Sequence, residues 1–589
     1  VTWAATKAGR VLLVDGVFGF EANVEPIGLS YAAAVLRERG FEVTVIDPTI
    51  DGLSVDQTLD AAGDLETYDL AGVSAMSIDD DQDLGHLRQF VAGLRERGFQ
   101  GHVTAGGHGV SLRWRDALDW ISGLDSVVVG EGEETLAELC ESLTADEGGG
   151  GAHHDPGADG GGSDGGGSAG RRQIPGLAAR ADGVAVWREG RRKIPDLDSL
   201  PFPARDSYAR RVAKFGRGVV AAVLASRGCF HRCSFCSVGP YHDLTEGPMF
   251  RLRSVGNVVA ELDYLNRTYG ADRFFFLDEH FVLPGPRGVE RAEAFQSEVS
   301  RRGLKIRFHA LTRVESVTLE SIAPLKAAGL NSIFLGLESA SEADLQLYQK
   351  RQTMTEVDRA LEVLSRLGYG IEVDSEYRVR VGYIAFHPDT TVEALRDGLA
   401  LARRFSVPIK KLVRPLEVFA GTDLYEEWPG LAVDPVAAGG QSVGGAAPRI
   451  AVHISGITYR PRFSFRRPEI AVLYREYTGL FNELYPVRER LRTVEKLGAG
   501  RAGIDLGPVQ AWRKRLDDWF YEMLSDMVEV AATGPTASDR LIETAKRFRR
   551  AVLEWMDEAG VVAGLDSIGR AMGIAAWAWG MQWPTPGSG

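Results

Sequence analysis

Apolar residues recur along residues 10–143 in two alternating rhythms. Short solid runs at 11–14, 43–46, 70–74, 103–105 and 127–129 predict buried strands. Stretches with apolar positions every three to four residues, at 29–39, 84–97 and 133–143, predict amphipathic helices between or after them. Gly40 closes the first of these helices. Strands alternating with helices imply a doubly wound parallel sheet in an N-terminal domain, 10–147.

Residues 148–170 are dominated by Gly, Ser and Asp, with an isolated pair, His153 and His154. This composition predicts a flexible insert, and the pair is read as part of it rather than as a metal site. Asp182-Gly183 suggests a small hairpin after it, completing a linker over 148–215. The strand–helix rhythm resumes over 216–425. Strands are predicted at 219–225, 273–277, 306–310, 332–337, 379–386 and 411–418, and helices at 255–269, 289–302, 319–328, 355–367 and 391–405. Six such units imply a partial (β/α)6 barrel, whose site gathers at the carboxyl ends of the strands. Residues 426–589 read as a mainly helical region, with helices at 468–484, 510–530, 537–559 and 568–579. Its aromatics, including Trp512, Trp519, Phe520, Tyr521, Trp555, Trp577, Trp579 and Trp583, are read first as a helical core. A wall closing the barrel mouth is the alternative.

At 589 residues the chain holds several domains, with apolar and charged fractions ordinary for a globular protein. A net charge of −14 argues against a general nucleic-acid binder. No apolar run reaches membrane-spanning length, and no signal-peptide pattern opens the chain. With only four cysteines, a cytoplasmic protein is expected.

Three of those cysteines, Cys229, Cys233 and Cys236, follow the first barrel strand in the spacing C-x3-C-x2-C. Three neighbouring thiolates suit three irons of a [4Fe–4S] cluster and leave the fourth iron open. A zinc site would call for a fourth ligand at matching spacing, and no second C-x2-C occurs. Cys140, within a helical pattern, is read as a buried small hydrophobe.

The cysteine run, with Phe235 before its third cysteine, resembles the signature of the radical S-adenosylmethionine (SAM) superfamily. That resemblance implies SAM chelated to the open iron. It also places Asp278 or Glu279 near the SAM amino group, and Arg313 and Glu338 near its ribose or carboxylate, with Gly382 at the next strand end. Ion pairs at the barrel mouth are the alternative reading for each charged residue. Glu279 has a second alternative: a tryptophan methylase of the family is thought to use such a carboxylate on the open iron.

The strand ends of the N-terminal domain are Asp15-Gly16, Ser74-Ala75-Met76, Gly106-Gly107-His108 and Gly130-Glu131-Gly132-Glu133, with Pro26-Ile27-Gly28-Leu29 opening the first helix. This set resembles the cobalamin-binding domain that precedes many radical SAM domains. The run Leu197-Asp198-Ser199-Leu200-Pro201-Phe202-Pro203 is similar to the lead-in of the same proteins. Gly16, Gly28, Leu29, Ser74, Ala75, Met76, Gly106, Gly107, His108, Gly130, Glu131 and Gly132 are then the expected cobalamin contacts. The motif D-x-H-x-x-G, which supplies a cobalt-ligating histidine in many cobalamin proteins, is absent. Cobalamin without a protein histidine on cobalt is implied, and His108 is read as a corrin-edge contact or a loop residue. A generic flavodoxin-like nucleotide or phosphate site is the alternative for this domain.

Together these resemblances imply a cobalamin-dependent radical SAM methyltransferase acting on a carbon of a small molecule or peptide. An external reductant such as flavodoxin or ferredoxin is implied as well. A non-methylating oxidase, cyclase or ring-rearranging enzyme of the same family is the alternative. Many relatives serve natural-product pathways, which associates the chain with antibiotic biosynthesis.

Overall fold

The first five apolar runs are strands of one sheet: β1 (Arg10–Asp15), β2 (Glu42–Ile46), β3 (Leu70–Ser74), β4 (His102–Gly106) and β5 (Ser126–Val128). They run parallel in the order β2-β1-β3-β4-β5. Helices α1 (Ile27–Glu38), α2 (Val55–Ala61), α3 (Asp81–Glu96), α4 (His108–Leu112), α5 (Trp114–Trp120) and α6 (Glu133–Glu147) connect or follow them. The two faces of the sheet carry separate cores, one built on Leu12, Val14, Phe90 and Val103, the other on Leu13, Leu36 and Leu139. The inner strands, buried on both faces, show solid apolar runs, whereas the edge strand β2 is only partly buried and alternates more.

This computed structural model describes residues 9–18, 24–76, 81–147, 174–371, 376–428, 452–454, 457–459, 463–499 and 505–571. The tract 148–170 with His153 and His154, and Trp577, Trp579 and Trp583, lie outside the described residues. The expected hairpin is present as β6 (Leu177–Ala181) and β7 (Val184–Trp187), turning at Asp182-Gly183. It does more than the sequence suggested: β6 pairs antiparallel with β5 and carries the parallel sheet two strands further.

The chain forms two compact units, Val1–Phe334 with Phe419–Gly439, and Leu335–Val418 with Gly440–Gly589. The first unit contains the sheet above and the opening of the barrel region. There β8 (Ala221–Val223), β11 (Arg273–Phe276) and β12 (Arg307–Arg313) are parallel neighbours. A separate ribbon of β9 (Ser226–Gly228) and β10 (Phe250–Leu252) branches off after β8. β13 (Leu330–Glu338) starts in this unit.

In the second unit a two-residue strand β14 (Gly370–Ile371), which the sequence did not predict, pairs parallel with β15 (Arg378–Tyr383). The expected sixth barrel strand at 411–418 is not a strand. It starts as a 3-10 turn, Ile409–Lys411, and makes one isolated bridge, Phe386 to Pro415. Proline has no N–H to continue a ladder. Long helices follow at Pro468–Gly498, Gly507–Ala531, Ser538–Glu558 and Val561–Ala571. Their core is aromatic: Phe481 stacks on Tyr485 at 4.4 Å and meets Phe520 at 5.2 Å. Tyr474, on the first of these helices, packs on Phe386 beyond β15 at 4.9 Å. No helix among the described residues is long and apolar enough to cross a membrane.

Candidate functional site

A cavity of about 680 Å³ opens in the first unit, in the size range of a small-molecule or cofactor site. One wall is the set of carboxyl ends of β1, β3, β4 and β5, the place where ligands sit on doubly wound sheets. Of the expected cobalamin contacts, Gly28, Leu29, Ser74, Met76, Gly106, Gly107, His108, Gly130, Glu131 and Gly132 line it. Gly16 and Ala75 do not. Their backbones tie strand ends together instead, Gly16 N–H donating to Ser74 O at 2.8 Å and Ala75 N–H to Gly106 O at 2.7 Å. Gly107 is required by its geometry: its φ is +116°, and a Cβ would meet Ala75 O at 2.6 Å. The result is a glycine-rich shelf at the strand ends.

The opposite wall comes from the ribbon, the barrel strand ends and the short helix Val238–Asp243: Leu224, Ser226, Arg227, Gly228, Tyr241, His242, Leu277 and Glu279. Gly228 immediately precedes Cys229. It also has positive φ, +83°, and no room for a Cβ, which would lie 1.9 Å from Met249 O. His108 bridges the two walls. Its ring stacks on Tyr241 at 4.4 Å and 15°, and its Nε2 lies 2.9 Å from Ser237 Oγ. Burial holds the His108 imidazole below the usual histidine range.

Glu279 and Asp278, adjacent in sequence, serve different places. Glu279 faces the cavity, and its buried Oε2 has no hydrogen-bond partner. Burial pushes its carboxyl up to about 7. Asp278 is fully buried and does not line the cavity. It accepts from Ala225 N–H at 3.1 and 3.0 Å and from Ser226 Oγ, so it pins the chain between β8 and β9. Burial, opposed by those hydrogen bonds, leaves its carboxyl near 6.

Beyond β9 the cysteine loop is a tight turn in which Cys236 N–H donates to Cys233 O at 3.0 Å. Cys229, Phe235 and Cys236 are partly buried. Arg313, at the end of β12, points Nη1 at Cys233 Sγ, 3.2 Å away, and its Nε at Glu315. Glu315 also meets His231 Nε2 at 3.1 Å. The rings of Phe230 and His280 stack at 4.8 Å, and His231 lies parallel to His280 at 5.6 Å. Among the described residues, no three His, Cys, Asp or Glu side chains gather about one ion-sized point. Three soft thiol donors spread along one loop suit a larger inorganic core better than a single ion.

Glu338 and Gly382 belong to the second unit. Gly382 is buried inside β15. Glu338 has φ +69°, an uncommon conformation for a residue with a side chain. Its Oε1 is held by Lys350 Nζ at 2.9 Å, in a largely buried pair.

A B12 binding domain model matches residues 16–140, and a radical SAM superfamily model matches 223–397. The first match covers the cavity's glycine wall, and the second begins just before the cysteine loop. This is a cobalamin-dependent radical SAM enzyme. It is 26% identical over 406 residues to an uncharacterised methyltransferase of Pyrococcus horikoshii, covering 68% of this enzyme and 78% of that protein. It is also 26% identical over 357 residues to the hopanoid C-3 methylase of Methylococcus capsulatus, 60% of this enzyme and 61% of that one. The cobalamin-dependent SAM radical enzyme OxsB, solved with aqua-cobalamin and SAM, has the same fold. Its TM-score is 0.67 at 16% identity, over 98% of this enzyme and 82% of that chain. The enzyme's cofactors are cobalamin, SAM and a [4Fe–4S] cluster.

The cavity fits the corrin by its volume and by the glycine-rich strand ends that let a large planar group approach the backbone. The residues the sequence did not single out are Arg227, Tyr241 and Arg251. None carries a local motif. Only the fold brings them to the cavity or beside it.

Proposed function

We propose that the enzyme transfers a methyl group to a carbon of a small-molecule or peptide substrate. The observation that supports this best is the shared wall: the ribbon leading into the cysteine loop is also a side of the cofactor cavity, through Arg227 and Gly228. Two reaction centres that must act on one substrate atom need such adjacency. When bound, the cluster with SAM supplies a carbon-centred radical and cobalamin supplies the methyl group. The chain's own residues do the remaining work. Cys229, Cys233 and Cys236 would hold the iron–sulfur cluster through their thiolates. Arg313 N–H groups face the Cys233 sulfur, where a hydrogen bond favours the reduced cluster. The glycine-rich shelf and Tyr241, on the cavity wall, would hold the corrin and exclude water. Glu279, whose carboxyl burial pushes up to about 7, faces the cavity and exchanges its proton close to neutral pH. Arg313, Glu338 and Gly382 are proposed SAM contacts, and an external one-electron reductant of flavodoxin or ferredoxin type is required.

With its substrate, the reconstituted enzyme is expected to form S-adenosylhomocysteine, 5′-deoxyadenosine and a product heavier by one methyl. Labelled methyl from SAM should appear in the product. A product without added methyl, formed with deoxyadenosine alone, would overturn methyl transfer in favour of an oxidase or cyclase.

A further inference from the structure

The ribbon that enters the cysteine loop carries two arginines face to face. β9 and β10 are antiparallel, with Arg227 directly opposite Arg251. Like charges across a strand pair repel unless neutralised. Both reach the cavity loop between β5 and α6. Arg227 Nη2 lies 2.6 Å from Glu133 Oε1, and its Nη1 is 3.5 Å from Glu131 Oε2. Arg251 grips Glu131 with both terminal nitrogens, Nη1 at 2.9 Å, and donates to Ile194 O at 2.7 Å. The four side chains are 3–13% exposed. The Arg227 guanidinium also lies 5.0 Å over the ring of Tyr31, another cavity residue. Glu133 keeps its buried Oε2 without a partner.

A buried charge lattice adds little stability over apolar packing of the same volume. What bidentate arginine pairs add is fixed distance and orientation. Arg227 stands two residues before Cys229, and Glu131 and Glu133 flank Gly132 in the cavity wall. We propose that Arg227, Arg251, Glu131 and Glu133 are positioning residues that set the cysteine loop, and the cluster it holds, at a fixed distance and tilt from the corrin. The inference rests on the cofactor assignment, and on the proposed methyl transfer only for one of its two readouts.

The test uses full-length enzyme carrying Arg227→Met, Arg227→Lys or Glu133→Gln, with iron and cobalamin content measured first. Pulsed paramagnetic resonance of the doubly reduced state reads the magnetic coupling between cluster and Co(II), which depends on their separation. In Arg227→Met and Glu133→Gln with full loading, the coupling is expected to change and broaden. Methylated product per deoxyadenosine should fall, by up to about a hundredfold for an ångström-level misplacement. Arg227→Lys should recover part of both. Unchanged coupling in fully loaded variants would overturn the proposal. If Arg227→Met does not fold, the near-isosteric Glu133→Gln decides by the same criteria. If the wild-type enzyme forms no methylated product, the function fails while the coupling measurement still judges the lattice.

Discussion

Asp15 ends β1 as a buried carboxyl beside Asp47 and Arg211, on the cavity wall. Burial first and Asp47 second push its carboxyl up to about 7, against Arg211 and the Gly16 N–H. The folded chain therefore holds this proton between about pH 4 and 7 while the unfolded chain has released it. Stability from this group is full below pH 4 and is lost as pH rises to 7, at about 1.4 kcal/mol per unit at most. Asp15→Asn should flatten that slope and raise the melting temperature of cofactor-free enzyme at pH 8. An unchanged pH profile of thermal unfolding would count against it. The cysteines make the opposite case. Cys229, Cys233 and Cys236 could be read from sequence because their chemistry is packed into eight residues. Replacing all three by Ala should abolish iron and sulfide binding. Cys140→Ala should leave it intact, since the Cys140 thiol is buried in the second core and held protonated up to about 12. Tyr241 and Arg251 could not be read this way, because the His108 ring and the Glu131 carboxylate they meet lie more than a hundred residues away.

Among the elements, the inner strands of the first sheet could be located in the sequence because double burial writes a solid apolar run. Position in the sheet was harder to read: nothing in the sequence around 177–187 says that the hairpin joins β5. The sixth barrel run misled for a different reason. Residues 411–418 carry the apolar Leu412, Val413, Leu416 and Val418 of a short buried strand, but Pro415 removes a donor. What survives is Leu416 N–H donating to Phe386 O at 2.7 Å and two neighbouring bonds, from Ala385 N–H and Phe386 N–H to Arg414 O. The tract 148–170 joins α6 to β6, and its composition offers almost no apolar surface to any core. Loop length enters stability only logarithmically. Shortening the tract to about half should therefore change unfolding free energy by less than about 1 kcal/mol. Cobalamin and iron content should stay at wild-type levels. Loss of either cofactor would give the tract a structural role.

Across the first unit, the match to the B12 binding domain ends at residue 140, yet the cavity does not. Its far wall, with Arg227, Tyr241 and Glu279, belongs to the radical SAM region. A buried charge network crosses the same boundary. Arg205 donates to Glu25 and Glu261, Arg253 pairs with Glu261, and Arg205, Glu25 and Glu261 are at most 1% exposed as side chains. Cutting the chain after Gly216 would keep Arg205 and Glu25 but remove Glu261 and Arg253. Stranding members of a buried network typically costs about 3–5 kcal/mol. Arg211 with Asp47 and Thr49 would survive, so the sheet itself should still form. The fragment is thus expected to be folded but less stable. It should bind hydroxocobalamin at least about tenfold more weakly, as half of a concave site gives up the desolvated contacts that confer affinity. Visible-absorbance titration of fragment and full chain, side by side, measures this. Equal affinity would mean that the glycine shelf alone holds the corrin and that the ribbon wall serves the cluster only. A fragment that binds weakly yet is rescued by adding the separately purified remainder would instead show the two walls assembling one site.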